Sequence, residues 1–111
     1  MTEVIAIGKN FRISPKKLRV VADNFRGKNA KESLESLRFV TRKAAAPLSK
    51  VLKSAIANGK NNLGLNESKL IIKEILVDSG PTLKRFQPVS RGSAHSILKR
   101  SSHLKIVLEG D

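Results

Sequence analysis

Between two runs of branched apolar residues, LIIKEILV (70–77) and HLKIVLE (103–109), the chain carries SGPTLKRFQPVSRGSAHSILKRSS, residues 79–102. This stretch holds five basic residues, Lys84, Arg85, Arg91, Lys99 and Arg100, and no acid. Its apolar residues, Leu83, Phe86, Val89, Ile97 and Leu98, are too few to build a core. Ordinary loops rarely exceed ~12–15 residues without function or disorder. Ser90-Arg91-Gly92-Ser93 is turn-like. The pattern predicts a long β-hairpin projecting from a body, each arm of roughly ten residues reaching about 33 Å at ~3.3 Å per residue. Such an arm has little reason for one fixed shape alone in water; a partner would order it. The core must then come from the rest of the chain.

That remainder has the signals for a core. Glu3, Ile5, Ile7, Lys9, Phe11 and Ile13 share one parity and four of the six are apolar, which predicts a half-buried strand with that parity inward. Ser14 is a natural N-cap and Pro15 suits the first helical position. Leu18, Val21, Ala22 and Phe25 then form an apolar helical stripe, and Gly27 is placed for a left-handed stop. Asn29 and Glu32 are spaced as a capping box for a second, short helix through Leu34 and Leu37. Thr41 is a candidate cap for a third helix over about 42–61, whose stripe is Ala44, Ala45, Leu48, Val51, Leu52, Ala55 and Ile56. Pro47 lies one turn inside, so either that turn is distorted or the helix begins near Ala44; Gly64 ends it. The expected fold is α+β over a single domain, residues 1–111. A three-stranded antiparallel sheet, with strands near 3–12, 70–79 and 102–109, carries three helices on one face and a long protruding β-hairpin over 79–102.

Charge decides the class of partner. Lys and Arg number 22 against 9 Asp and Glu, a net +13 on 111 residues. So many like charges oppose compaction, and a polyanion, most commonly nucleic acid, is the simplest reason to carry them. There is no Cys, which excludes disulfides and thiolate metal sites, and two His are too few for a His-only zinc site. No apolar run approaches the ~18 residues of a membrane span. The N-terminal MTEVIAIGKNFRIS does not read as a signal peptide. Four Phe, with no Tyr or Trp, argue against base stacking on single strands. The acids form no catalytic pair, and no Gly-rich phosphate loop or nucleophile elbow occurs. No enzyme, cofactor or metal is expected.

The first basic cluster is Lys9, Arg12, Lys16, Lys17, Arg19, Arg26 and Lys28, with Asp23 as its one acid. It reads as a solvated helix face or as a phosphate-contacting surface. Solvated faces mix both signs, and this one hardly does. The helix N-terminus after Ser14 offers amides and a positive dipole end to an anion. Lys16 and Lys17 in that first turn oppose the dipole, which makes sense if an anion binds there. The second cluster lies in 79–102, read as a disordered basic loop or as an extension threading into folded RNA. There Arg85, Arg91 and Arg100 can contact phosphate bidentately, while Lys84 and Lys99 act as point charges. Lys43, Lys50 and Lys53 form a third face, equally consistent with solvent. His95 and His103 suit a base or a phosphate better than a metal. The first two helices superficially resemble a helix-turn-helix, yet the second, which would read DNA, offers AKESLESLRFV with few bases. Sequence-independent DNA compaction is the alternative binding reading. A membrane-active role is weaker, because the apolar stripes are needed for the core.

The strings SPKKLRVVADNFRGK, KAAAPLSKVLKSAIANGKNN and GPTLKRFQP…RGSAHSILKRSSHLKIVL closely resemble the bacterial-type family of large-subunit ribosomal protein twenty-two, from about Ile13 to Leu108. The resemblance implies a compact body on the ribosome's exterior near the exit of the nascent-chain tunnel. It also implies a long β-hairpin that crosses ribosomal RNA and lines the tunnel near its constriction. The implied partners are large-subunit ribosomal RNA, neighbouring large-subunit ribosomal proteins and the nascent peptide, with no membrane, homo-oligomer or enzymatic activity. The implied location is the cytoplasmic ribosome, or that of an organelle. Taken with the basic clusters and histidines above, the expected RNA-binding set is Lys9, Arg12, Ser14, Lys16, Lys17, Arg19, Arg26, Lys28, Lys84, Arg85, Arg91, His95, Lys99, Arg100 and His103. The tunnel-lining tip carries over to Lys84, Arg85, Phe86, Gln87, Pro88, Val89, Ser90, Arg91, Gly92, Ser93 and Ala94, a region that in the family neighbours the macrolide site and takes part in nascent-chain sensing. The family's tip usually reads P-R-A-[KR]-G-R-A. Val89 and Ser93 replace two of its cations here.

Overall fold

Ser14 adopts an extended backbone and its Oγ accepts from the amide of Lys17 at 3.4 Å, which starts α1 (Pro15–Ala22). The computed structural model describes the backbone of residues 2–80, 83–88, 94–99 and 101–110, and the side chains of 2–80 and 101–110. Asn29 starts α2 (Ala30–Leu37) in the same way, its Oδ1 accepting from Glu32 N at 3.2 Å. The third helix, α3 (Ala45–Ala57), begins after Ala44 and has no side-chain cap, so Thr41 does not cap it. Pro47 explains the later start. In the first turn its missing N–H would have had no helical partner anyway. The helix runs on through a π-helical turn, Asn58–Asn62, and the chain turns away at Gly64, whose φ is 65°.

The strands are β1 (Thr2–Phe11), β2 (Ile71–Ser79), β3 (Leu83–Pro88), β4 (Ala94–Lys99) and β5 (Ser102–Gly110). The first, second and fifth form an antiparallel sheet in the order β1-β5-β2. The expected strands and the expected antiparallel pairing are therefore found. Helices α1, α2 and α3 cover one face. The core joins Leu18, Val21, Ala22, Leu37, Leu48, Val51, Leu52, Ala55 and Ile56 to Ile72, Ile75, Val77, Leu104, Ile106 and Leu108. Each large aliphatic side chain buried this way contributes ~1.5–3 kcal/mol.

One expectation is overturned. In β1 the inward residues are Val4 and Ala6, while Ile5 and Ile7 are 46% and 59% exposed. Both parities of this strand are apolar, so alternation alone could not choose between them. Packing chose the smaller set. A Cβ added at Gly8, on the inward side, would lie 2.7 Å from a methyl of Val51 on α3. The helix approaches β1 too closely for isoleucines.

The outer edge of β2 is closed by the first helix and the turn after it. Gly27 N donates to Ile72 O, Ile72 N to Lys28 O and Ala30 N to Leu70 O, at 2.8–2.9 Å. Further along, Arg26 Nη2 donates to Ile75 O and Arg19 Nη2 to Val77 O, both at 2.7 Å. An exposed strand edge is a template for unwanted pairing, and this one is occupied. Strands β3 and β4 pair antiparallel with each other as a separate two-stranded sheet, Leu83 opposite Lys99 through Pro88 opposite Ala94.

Candidate nucleic-acid interface

One end of the three-stranded sheet gathers the basic side chains. There β1 finishes at Phe11, β2 at Ser79, and β5 begins at Ser102, with Phe11 and Ser79 both registered against Ser102. Ser102 is fully buried, and its Oγ donates to Ile13 O at 2.5 Å. That bond ties the strand leaving the hairpin to the segment entering α1. Gly80 N donates to Ser101 O at 2.9 Å, closing the root of the β3–β4 pair. The root of the hairpin and the N-terminus of α1 are thus one structural unit.

Two clefts flank that N-terminus. The larger, about 470 Å³, is lined by Arg12, Ile13, Ser14, Lys17, Arg42, Lys43 and Ala44. It lies between the starts of α1 and α3, so two helix dipoles present their positive ends to it. The second, about 350 Å³, is lined by Ser14, Pro15, Lys16, Arg19, Ser79, Gly80 and Ser101 and sits at the hairpin root. A third, about 260 Å³, has Lys9 and Lys50 on its rim, where β1 meets α3. Among the described residues, no acid lines any of the three. Such concavities suit phosphate: guanidinium groups bind it bidentately, ammonium groups as point charges, and helix-start amides add donors.

The seven bases of the first cluster do not form one surface. Arg12, Lys16, Lys17 and Lys9 line the clefts. Arg19 lines the second cleft while one nitrogen is held by Val77 O. Arg26 is a strut, donating to Ile75 O and ion-paired with Asp23 three residues earlier. Lys28 sits over the Phe25 ring, 5.9 Å from its centroid, a cation–π arrangement. Ser14 is first of all a helix cap. His103 Nδ1 accepts from Asn10 N at 3.2 Å. Asn10, with φ 61°, lies in the irregular stretch between Gly8 and Phe11 where the β1–β5 register shifts, and the histidine serves its amide.

Sequence reasoning missed Arg42 and placed Lys43 on a face that could equally be solvent. The signal was present: Arg42-Lys43 stands just before a helix start, as Arg12 stands before Ser14. Of the hairpin residues, Val89, Ser90, Arg91, Gly92, Ser93 and Arg100 lie outside the described residues. So do the side chains of Lys84, Arg85, Phe86, Gln87, Pro88, Ala94, His95 and Lys99. Among the described residues no group of three His, Asp or Glu is placed to hold a metal ion, and no helix is long and apolar enough to cross a membrane.

The sequence model of the family described as ribosomal protein L22p/L17e matches residues 6–109. The chain is 55% identical over 104 residues to large ribosomal subunit protein uL22 of Mycoplasmopsis agalactiae, covering 94% of this chain and 91% of that protein. It is 49% identical over 107 residues to the uL22 of Clostridium novyi, covering 96% of each. The uL22 of Herpetosiphon aurantiacus is 47% identical over 104 residues, covering 94% of this chain and 92% of its own.

Proposed function

The chain belongs to the ribosomal protein L22p/L17e family, and we propose that it binds and organises large-subunit ribosomal RNA through the basic end of its body, with the β3–β4 hairpin extending from that end along the RNA to line the nascent-peptide tunnel. As a family member it is a structural constituent of the cytoplasmic large ribosomal subunit and not an enzyme. Its partners are ribosomal RNA and other ribosomal proteins.

The observation that carries the reading is the coincidence of the hairpin root with the basic clefts. Lys16 and Arg19 share a cleft with Ser79, Gly80 and Ser101, where β2 leaves the sheet and β5 re-enters it, and Arg12, Lys17, Arg42 and Lys43 line the neighbouring cleft, which shares Ser14 with it. An anchor and an arm that share a base can position each other: phosphates held in the clefts fix the direction in which the hairpin departs. The body supplies binding energy, and the arm supplies reach. The pairing of Leu83–Pro88 with Ala94–Lys99 supports an arm that is a two-stranded ribbon, and that pair does not join the main sheet.

Two variants test the two halves. Replacing Arg12, Lys17, Arg42 and Lys43 together by Gln should abolish stable binding to large-subunit RNA while the thermal unfolding of the body is kept. Deleting residues 84–99 and closing the gap with a short turn should leave a body that still incorporates into the subunit, but with the tunnel wall unoccupied where the arm would run. Normal incorporation of the quadruple variant would sink the anchoring role. An unchanged tunnel wall in the deletion would sink the arm's role.

A further inference from the structure

The face of the sheet turned away from the helices carries an apolar patch with acids around it. From β1 it presents Glu3, Ile5 and Ile7; from β5, Lys105, Val107 and Glu109; from β2, Ile71, Lys73, Glu74, Leu76 and Asp78. The register sets Ile5 and Glu74 against Val107, and Ile7 and Leu76 against Lys105. Ile5, Ile7 and Leu76 are 46%, 59% and 43% exposed, and Val107 between them is only 4% exposed. An irregularity between Ile72 and Glu74 turns both Lys73 and Glu74 outward, and Lys73 crosses β5 to pair with Glu3. Scattered surface isoleucines need no explanation, but a contiguous cluster on an open sheet face marks an interaction surface.

The charges say what the partner is. The chain is +13 overall, yet this face gathers four of its nine acids, Glu3, Glu74, Asp78 and Glu109, against Lys73 and Lys105. Glu3 and Glu109 stand directly opposite each other, a like-charge pair that costs stability, and Lys73 is the ammonium bonded to Glu3. Phosphate would be repelled here, and a second cation near Glu109 would be welcome. We propose that this face docks a basic polypeptide surface: apolar side chains seated on Ile5, Ile7 and Leu76, with lysines or arginines meeting Glu74, Asp78 and Glu109. Complementary charge around an apolar centre orients such a partner and rejects RNA. The body thus has two faces of opposite preference. The cleft end takes nucleic acid and the open sheet takes protein. The inference does not depend on the RNA reading, because it rests on other residues.

The test uses assembled large subunits. The photoreactive residue p-benzoylphenylalanine is placed at Ile5, at Leu76 or, as a separate probe of the RNA reading, at Lys43. Irradiation should join the first two positions to a polypeptide other than this chain, at a segment rich in Lys or Arg, and should join the third to RNA. Cross-links from Ile5 or Leu76 to RNA, to a second copy of this chain, or to nothing would overturn the proposal. Failure at Lys43 alone would count only against the RNA reading. As a second measurement, Ile5→Ser with Leu76→Ser should keep a cooperative melting transition and leave RNA binding unchanged while weakening retention of the cross-linked neighbour by about tenfold or more. Unchanged retention would equally overturn it.

Discussion

Arg19, on the first helix, donates from Nη2 to the carbonyl of Val77 at 2.7 Å, fifty-eight residues away on β2. Arg26 repeats the arrangement at Ile75. A guanidinium serving an edge carbonyl is part of the sheet's own hydrogen bonding. Arg19→Ala should therefore destabilise the fold by ~1–2 kcal/mol, the range for a part-exposed charge-assisted bond. Lys16→Ala, in the same helix but lining a cleft, should stay within ~0.5 kcal/mol. Urea midpoints of the two variants check this, and equal midpoints would mean the edge bonds are immaterial.

Gly8 is a packing glycine. A Cβ there would lie 2.5 Å from the Phe11 ring and 2.7 Å from a Val51 methyl. Gly8→Ala should cost ~1–3 kcal/mol by overpacking. The companion change Val51→Ala should recover part of that loss if the helix contact is the cause. A double-mutant cycle in chemical denaturation reads the coupling directly.

Helix phase in α3 is tested by Leu52 and Lys53. Leu52 is 2% exposed and Lys53 faces solvent. Leu52→Ala should cost ~2–5 kcal/mol as a large-to-small core change. Lys53→Ala should be near neutral. The reverse order of thermal midpoints would mean the helix is rotated.

Much of this body was legible in the sequence because local chemistry and burial agreed. Ser14-Pro15 and Asn29 set helix starts, and Leu18, Val21 and Ala22 all proved buried. Two features were not legible, for different reasons. The inward parity of β1 depended on how closely α3 packs at Gly8, which no local pattern encodes. The joining of Arg42 and Lys43 to Arg12 and Lys17 depended on two helix starts meeting in space, thirty residues apart in sequence. Charge alone also does not reveal that a strand edge lies within reach of Arg19 and Arg26, each of which donates one nitrogen to a β2 carbonyl.

The Glu3–Lys73 bridge across the open sheet face gives a pH signature. The Lys73 hydrogen bond, then its charge, holds the Glu3 carboxyl below its ordinary 4.5. The same bond holds the Lys73 ammonium above its ordinary 10.5. A lowered acid stabilises the fold above its unfolded pKa and loses that contribution as pH falls through the folded value. A raised base stabilises below its unfolded pKa and loses it as pH rises through the folded one. The difference in melting temperature between the native chain and Glu3→Gln should therefore be constant between about pH 6 and 9 and shrink below about pH 4. Both groups are exposed, so the difference should be small and should fade in high salt.

RNA anchoring at the cleft end is measured most directly by the salt dependence of binding to large-subunit ribosomal RNA. The logarithm of the association constant should fall linearly with the logarithm of salt concentration, the slope counting phosphates neutralised. Arg42→Gln and Lys43→Gln should each flatten that slope by about 1. Lys60→Gln, at the far end beside Glu67, should leave it unchanged. If the Arg42 and Lys43 variants keep the native slope, the clefts are not where this chain holds RNA.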